Sequence, residues 1–291
     1  MGLSWQQGPL SPGAIGRFLT PEPLPKGMMY AEPLRRLMRV RFGGAWIAES
    51  EHVWLLFEPG HYPIAYFPVA DVSPGTLERT EHTTQHRALG LTSWYTVRSG
   101  EKYVERSAWQ HNTPPPYASE LQNRVAFAWP RMDAFYEEDE RILAHAADSY
   151  HRIDIRQSSR RLVVRHGERT IADSKRPRVL YESGFAPRWY VPRADVDMST
   201  LALVEERKTF CPYKGICSYY DIGDARLAAW SYPQAYPEVS RISNFVSFEP
   251  DVVSVQLDGN TLHLEPGQSV ITHGPDRDFA VTQLPPASAS A

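Results

Sequence analysis

The residues best suited to chemistry gather in one stretch of the second half of the chain. Cys211, Tyr213 and Lys214 stand within four positions of one another, and Tyr219, Tyr220, Trp230 and Tyr232 follow. Glu182, Trp189, Tyr190 and Asp195 precede them. A lysine desolvated among aromatic rings has a lowered pKa and can serve as acid, base or Schiff-base former, with Glu182 or a tyrosine moving the proton. Cys211, in a turn before Pro212, is a candidate nucleophile if Lys214 lowers its pKa. This reading makes Lys214, Cys211 and Glu182 the catalytic candidates. Tyr190, Trp189, Tyr213, Tyr220, Trp230, Tyr232 and Asp195 become the walls of an aromatic-lined pocket. The plainer reading of the same residues is a β-sheet core, with Glu182 and Lys214 as a buried ion pair, Cys211 as a small buried hydrophobe and Cys217 as packing.

These residues belong to a unit that the chain contains twice. Glu58, Gly60, Pro63, Tyr66, Pro68 and Asp71 recur as Glu182, Gly184, Pro187, Tyr190, Pro192 and Asp195, all at an offset of 124. The block Thr84 to Tyr95 matches Thr209 to Tyr220 at offset 125, and Ala108-Trp109 matches Ala229-Trp230 at offset 121. The four residues lost fall where Arg98-Ser99-Gly100-Glu101 reads as a hairpin tip, shortened to Gly223-Asp224 in the second copy. Two homologous domains in tandem follow. The first copy keeps the Glu, Tyr, Asp, Gly and Trp but puts His86 for Cys211, Leu89 for Lys214, Ala65 for Trp189 and His111 for Tyr232. Shared residues point to the fold and differing ones to a site, which sharpens the interest in Lys214, Cys211 and Tyr232.

Short runs of alternating polarity bounded by Gly, Pro, Asn or Asp predict antiparallel strands in each copy. One short helix per copy is expected after Pro116 and Pro237. A longer helix is expected over about Met132 to Ala147, with Met132, Phe135, Tyr136, Ile142 and Leu143 near one face and the acidic run 137–140 opposite. The organisation expected is an extended arm at 1–36, a first β-rich domain at 37–130, a helical linker at 131–158 and a second β-rich domain at 159–258. A C-terminal extension at 259–291 ends in a disordered tail.

The block Thr209-Phe210-Cys211-Pro212-Tyr213-Lys214-Gly215, with Glu182-Ser183-Gly184 and Tyr190-Val191-Pro192 before it and Ala229-Trp230-Ser231-Tyr232-Pro233 after it, closely resembles domain-of-unknown-function family 427. The resemblance is strong over about 162–255 and diverged over about 40–129. It implies a small, mainly β, tent-like domain. The family is sometimes labelled nucleotidyltransferase-like, but there is no glycine-rich phosphate loop, Walker lysine motif or closely spaced Asp pair here. Other tent-like folds often carry zinc on two Cys-x-x-Cys knuckles. Cys211 and Cys217 are the only cysteines and form no such knuckle.

The chain has 291 residues, 42% of them hydrophobic and 22% charged, with a formal net charge of −3 and basic residues dispersed. That argues against a nucleic-acid partner, and the lack of a long apolar run argues against a membrane span. Two cysteines and no visible secretory signal suggest a cytoplasmic protein. Glu81, His82, His86 and His111 could be read as a metal site, but surface histidines are the commoner outcome, and no metal or cofactor is expected. The partner expected is a small molecule, with oligomeric state open. Two functions remain: a metal-independent enzyme using acid/base chemistry in the second domain, or a non-catalytic small-molecule binding or sensing protein.

Overall fold

The computed structural model of the protein describes residues 3–4, 8–11, 13–14, 16–25 and 27–264, so the expected C-terminal tail lies outside the described residues. The chain forms two units, Met1–Tyr150 and His151–Ala291. The first contains β1 (Tyr30–Pro33), β2 (Met38–Phe42), β3 (Ala45–Ser50), β4 (Trp54–Phe57), β5 (Ile64–Pro68), β6 (Leu77–His86), β7 (Gly90–Ser99), β8 (Lys102–His111), β9 (Arg124–Phe127), β10 (Ala134–Glu137) and β11 (Glu140–Ile142). The second contains β12 (Ile153–Gln157), β13 (Leu162–His166), β14 (Arg169–Ser174), β15 (Arg178–Glu182), β16 (Arg188–Pro192), β17 (Leu201–Cys211), β18 (Gly215–Ile222), β19 (Ala225–Ala235), β20 (Phe245–Phe248), β21 (Ser254–Leu257) and β22 (Asn260–Thr261).

Each unit holds a seven-stranded and a four-stranded sheet. The large sheets run β1-β4-β5-β9-β8-β7-β6 and β12-β15-β16-β20-β19-β18-β17, and the small ones β11-β10-β2-β3 and β22-β21-β13-β14. The two orders are the same, strand for strand. Registers agree as well: Trp94 faces Trp109 across β7 and β8, and Tyr219 faces Trp230 across β18 and β19. His86 pairs with Gly90, as Cys211 pairs with Gly215. Both copies turn between β7 and β8, or β18 and β19, on two residues, Gly100-Glu101 and Gly223-Asp224, so the tip is not shortened as expected: the residues the second copy lacks come out of the two strands. The short helical segments expected after proline form at Pro116–Leu121 and Pro237–Ile242, each kinked, at Ala118 and at Val239. They are 3-10 turns, as suits such short segments.

The expected helix over 132–147 is absent. The segment forms the hairpin of β10 and β11, and β10 pairs with β2. Phe135 and Glu137 are buried while Tyr136 between them is half-buried, a two-residue period. The acidic run is the hairpin turn, with Glu138 at φ 50. The 131–158 stretch is therefore no helical linker: its end, β12, is the edge strand of the second large sheet. Likewise the last part of the expected N-terminal arm is β1, paired with β4.

Each large sheet has two distinct faces. One packs on the small sheet, over a core that includes Phe42, Phe57, Phe67 and Phe135 in the first unit and Leu162, Val191, Val246 and Val255 in the second. The opposite face carries a second cluster, capped by the 3-10 turn and the β6–β7 or β17–β18 hairpin loop. The functional candidates lie on this second face.

Candidate functional site

Strand alternation sorts the sequence candidates. Tyr190, Tyr219, Trp230 and Tyr232 share the second face with Leu180, Cys217 and Ile242, with Cys211 packed against them. Trp189 and Tyr220, each one residue from a member of that group, point to the core between the sheets. Tyr220 bonds there to Ser231 at 3.1 Å. Asp195 lies apart too, accepting from Ser174 Oγ at 2.7 Å and from Arg176. In the first copy Asp71 accepts from Ser50 Oγ at 2.6 Å in the same way. Trp189, Tyr220 and Asp195 thus leave the site, and the Asp–Ser bond belongs to the fold.

The β17–β18 hairpin brings Lys214 onto this face. Gly215 closes the loop at φ +96, a conformation disfavoured for L side chains, and a Cβ there would lie 2.8 Å from the Gln234 carbonyl oxygen. Lys214 Nζ donates to Glu182 Oε2, with the two side chains only 12% and 7% exposed. Its ammonium also lies 5.8 Å from the centre of the Tyr232 ring. The other carboxylate oxygen of Glu182 meets His151 Nε2 at 3.0 Å, and the His151 ring stacks on Tyr213 at 3.8 Å. Beneath them Trp230 Nε1 donates to the Tyr190 hydroxyl at 3.3 Å.

The electrostatics differ from the expectation of a neutralised lysine. Burial works to lower the Lys214 pKa, but the adjoining Glu182 carboxylate outweighs it and holds the ammonium above its ordinary value. Burial likewise pushes Glu182 up, and Lys214 and His151 more than reverse this, bringing it to about 2. His151 is lowered by its own burial and stays neutral, donating through Nε2. Cys211 is raised by burial, which outweighs the pull of Lys214, so the thiol is the stable form. Burial pushes Cys217 up to about 12. Lys214 with Glu182 is a charged pair at neutral pH, and Cys211 is no activated nucleophile.

The first copy keeps the scaffold and changes what sits on it. Trp109 Nε1 donates to the Tyr66 hydroxyl at 3.2 Å, the counterpart of Trp230 and Tyr190. Tyr66 also meets His111 Nε2 at 2.9 Å, and His111 Nδ1 meets Thr92 Oγ1 at 2.9 Å. Burial, then the neighbouring His86, lowers His111 to about 4. Glu58 pairs with His86 instead of a lysine, at 2.7 Å. His86 Nδ1 accepts from the Ala88 and Leu89 amides, so Nε2 carries the proton toward Glu58. His82 is not drawn into this group, and among the described residues no set of three His, Cys, Asp or Glu side chains is arranged to hold a metal.

Above this network the first domain has a cleft of about 300 Å³ that sequence reasoning missed. Gly27, Ala31, Ala88, Leu89, Ala118 and Leu121 contribute to its lining. Strand register and the repeat offsets align Gly27 with His151, Ala31 with Ile155, Ala88 with Tyr213 and Ala118 with Val239. In the second copy the His151–Tyr213 stack, Ile155 and Val239 occupy these positions, and His151, Ile155 and Val239 are buried. A Cβ on Gly27 would meet nothing within 4 Å. Replacing a histidine, an isoleucine, a tyrosine and a valine by glycine and alanines hollows the first copy where the second is packed.

A doubled, mainly β chain with one packed and one hollowed copy of the same sheet face is the class of protein these features define. It belongs to the family described as Domain of unknown function (DUF427), also labelled NTP_transf_9, whose profile matches residues 30–138 and 154–259, one segment per unit. No curated protein matches the chain. Among the described residues no helix is long and apolar enough to cross a membrane.

Proposed function

We propose that the protein is a non-catalytic small-molecule binding protein whose ligand occupies the cleft of the first domain. The observation that carries this reading is the exchange of four large side chains for one glycine and three alanines around a single cavity. Its volume, about 300 Å³, is at the lower end of the range for ligand sites and fits a molecule of one or two rings. The walls come from four separate elements: β1 with the residues just before it, β4 through Leu56, the β6–β7 loop and the 3-10 turn. Leu89 and Leu121 at its base are buried, which gives the cleft a rigid apolar floor.

The test is a fragment screen by ligand-observed NMR on the full chain. A variant carrying Ala31→Ile and Ala88→Tyr restores the second copy's side chains and should lose binding while keeping the wild-type melting temperature. Hits that bind the filled variant unchanged would sink the proposal.

A second reading, metal-independent acid/base chemistry on the second domain, is favoured by one observation. Neutral His151 is buried and its Nδ1 has no hydrogen-bond partner among the described residues. It is therefore a proton acceptor with its lone pair uncommitted. Under this reading a small-molecule extract incubated with the protein should show a depleted component that His151→Phe spares. Equal depletion by both, or none by either, removes it.

A further inference from the structure

We propose that the first-domain cleft selects an organic cation: an ammonium carried on an apolar, ring-sized body. This rests on the small-molecule binding reading above. The polar side chains facing the cleft are Tyr117 and Glu120; Tyr30 borders it too, but its ring packs on Phe57 and Tyr150 on the other face of β1, and no Lys or Arg is among the described residues that line the cleft. The Tyr117 proton is already committed. Its hydroxyl donates to the Ala88 carbonyl at 2.7 Å. What that hydroxyl still offers a ligand is a lone pair.

Three nearby amides are spent as well. Those of Ala88 and Leu89 donate to His86 Nδ1, and that of Ala118 donates to the Pro115 carbonyl. Glu120 adds a carboxylate at the rim, met among the described residues only by the Ser119 hydroxyl at 3.5 Å. Arg124, the nearest basic side chain in sequence, is turned to the carbonyls of Glu120 and His52 instead of the carboxylate. A phenol ring, its oxygen acceptor and a carboxylate with no ion-pair partner among the described residues, around an apolar floor, complement a group that is positive and can only donate. An anion would find no donor among these groups, and a neutral apolar molecule would leave the carboxylate unanswered. The second copy reverses the sign at this rim: Arg241 stands where Glu120 does, its guanidinium donating to the Ile155 carbonyl.

The experiment compares three probes of one shape on the full chain: 2-phenylethylammonium, 2-phenylethanol and 3-phenylpropionate. Binding is followed through the ε-methyl NMR signal of Met29, which lines the cleft. The ammonium should bind about 3–5-fold more tightly than the alcohol, the scale of a partly exposed ion pair, and the carboxylate should bind most weakly. Glu120→Gln should erase the advantage of the ammonium, and Glu120→Arg should pass it to the carboxylate. Because Glu120 is exposed, neither change threatens folding. Equal affinities, or a preference for the carboxylate in the wild type, would overturn the cation inference while leaving a binding cleft. If no probe moves the Met29 signal at millimolar concentration, both proposals fall.

Discussion

Lys214→Met separates a structural ion pair from a working lysine. The wild-type pair holds Glu182 at about 2 against an ordinary 4.5. At ~1.4 kcal/mol per unit, that depression is linked to roughly 3 kcal/mol of stability in the ionised state. Removing the ammonium leaves a buried carboxylate facing only His151, and breaking one side of such a pair costs about 3–5 kcal/mol. At ~2–4 °C per kcal/mol, the second-domain transition should fall by about 10 °C in a thermal melt followed by tryptophan fluorescence at pH 7. The pH dependence carries the sign. In the wild type the folded pKa lies below the unfolded one, so the contribution is complete above about 4.5 and fades as pH falls toward 2. Without Lys214, burial raises the carboxylate instead, and protonation relieves the penalty. The gap between variant and wild type should therefore narrow from pH 7 to pH 5. Adding Glu182→Gln to the variant should recover most of the loss at pH 7, because no buried charge remains. A variant that melts within about 2 °C of wild type, or a double variant no better than the single, would refute this account.

Trp230→Ala should cost about 3–5 kcal/mol in the second domain, since the ring is 2% exposed and its indole N–H is bonded to Tyr190; a urea melt reads the loss. Native Cys211 and Cys217 should resist iodoacetamide at pH 8, because burial raises both thiols, and should react quickly in urea; mass spectrometry counts the adducts. Asp195→Asn should weaken the contacts with Ser174 and Arg176, costing about 1–2 kcal/mol, with no effect on ligand binding in the first domain, as calorimetry would show.

The repeat, the mainly β class and the hairpin registers were legible because they rest on local signals: glycines at turns, paired tryptophans and two-residue alternation. Alternation also held information that residue type obscured. Trp189 and Tyr190 are adjacent in a strand and so must face opposite ways, as must Tyr219 and Tyr220; placing Trp189, Tyr190 and Tyr220 in one aromatic wall contradicts the period. The β10–β11 hairpin was hidden because Glu137-Glu138-Asp139-Glu140 has no glycine to mark its turn. The corresponding turn of the second copy, Asp258-Gly259, carries the usual hairpin signal, and matching the copies there would have exposed it. His151 went unseen because the strand it precedes, β12, fell in the stretch 131–158 read as a helical linker. Whether Lys214 was a desolvated base or half of an ion pair could not be read from spacing. Glu182 is 32 residues away, and only the fold decides which carboxylate reaches the ammonium. The cleft was invisible for a different reason: it is made of what Gly27, Ala31, Ala88 and Ala118 lack.

The His151–Tyr213 stack has a meaning beyond its own domain. Two flat rings, 3.8 Å apart and inclined by 19°, lie where the sister domain is hollow. The second domain is in effect a cast of the first domain's cavity, made from its own chain: a pair of stacked planes, one of them a nitrogen heterocycle. A cyclic molecule seated on Leu89 and Leu121 would complete the first domain as these two side chains already complete the second, so ligand binding would take the form of supplying a missing piece of hydrophobic core.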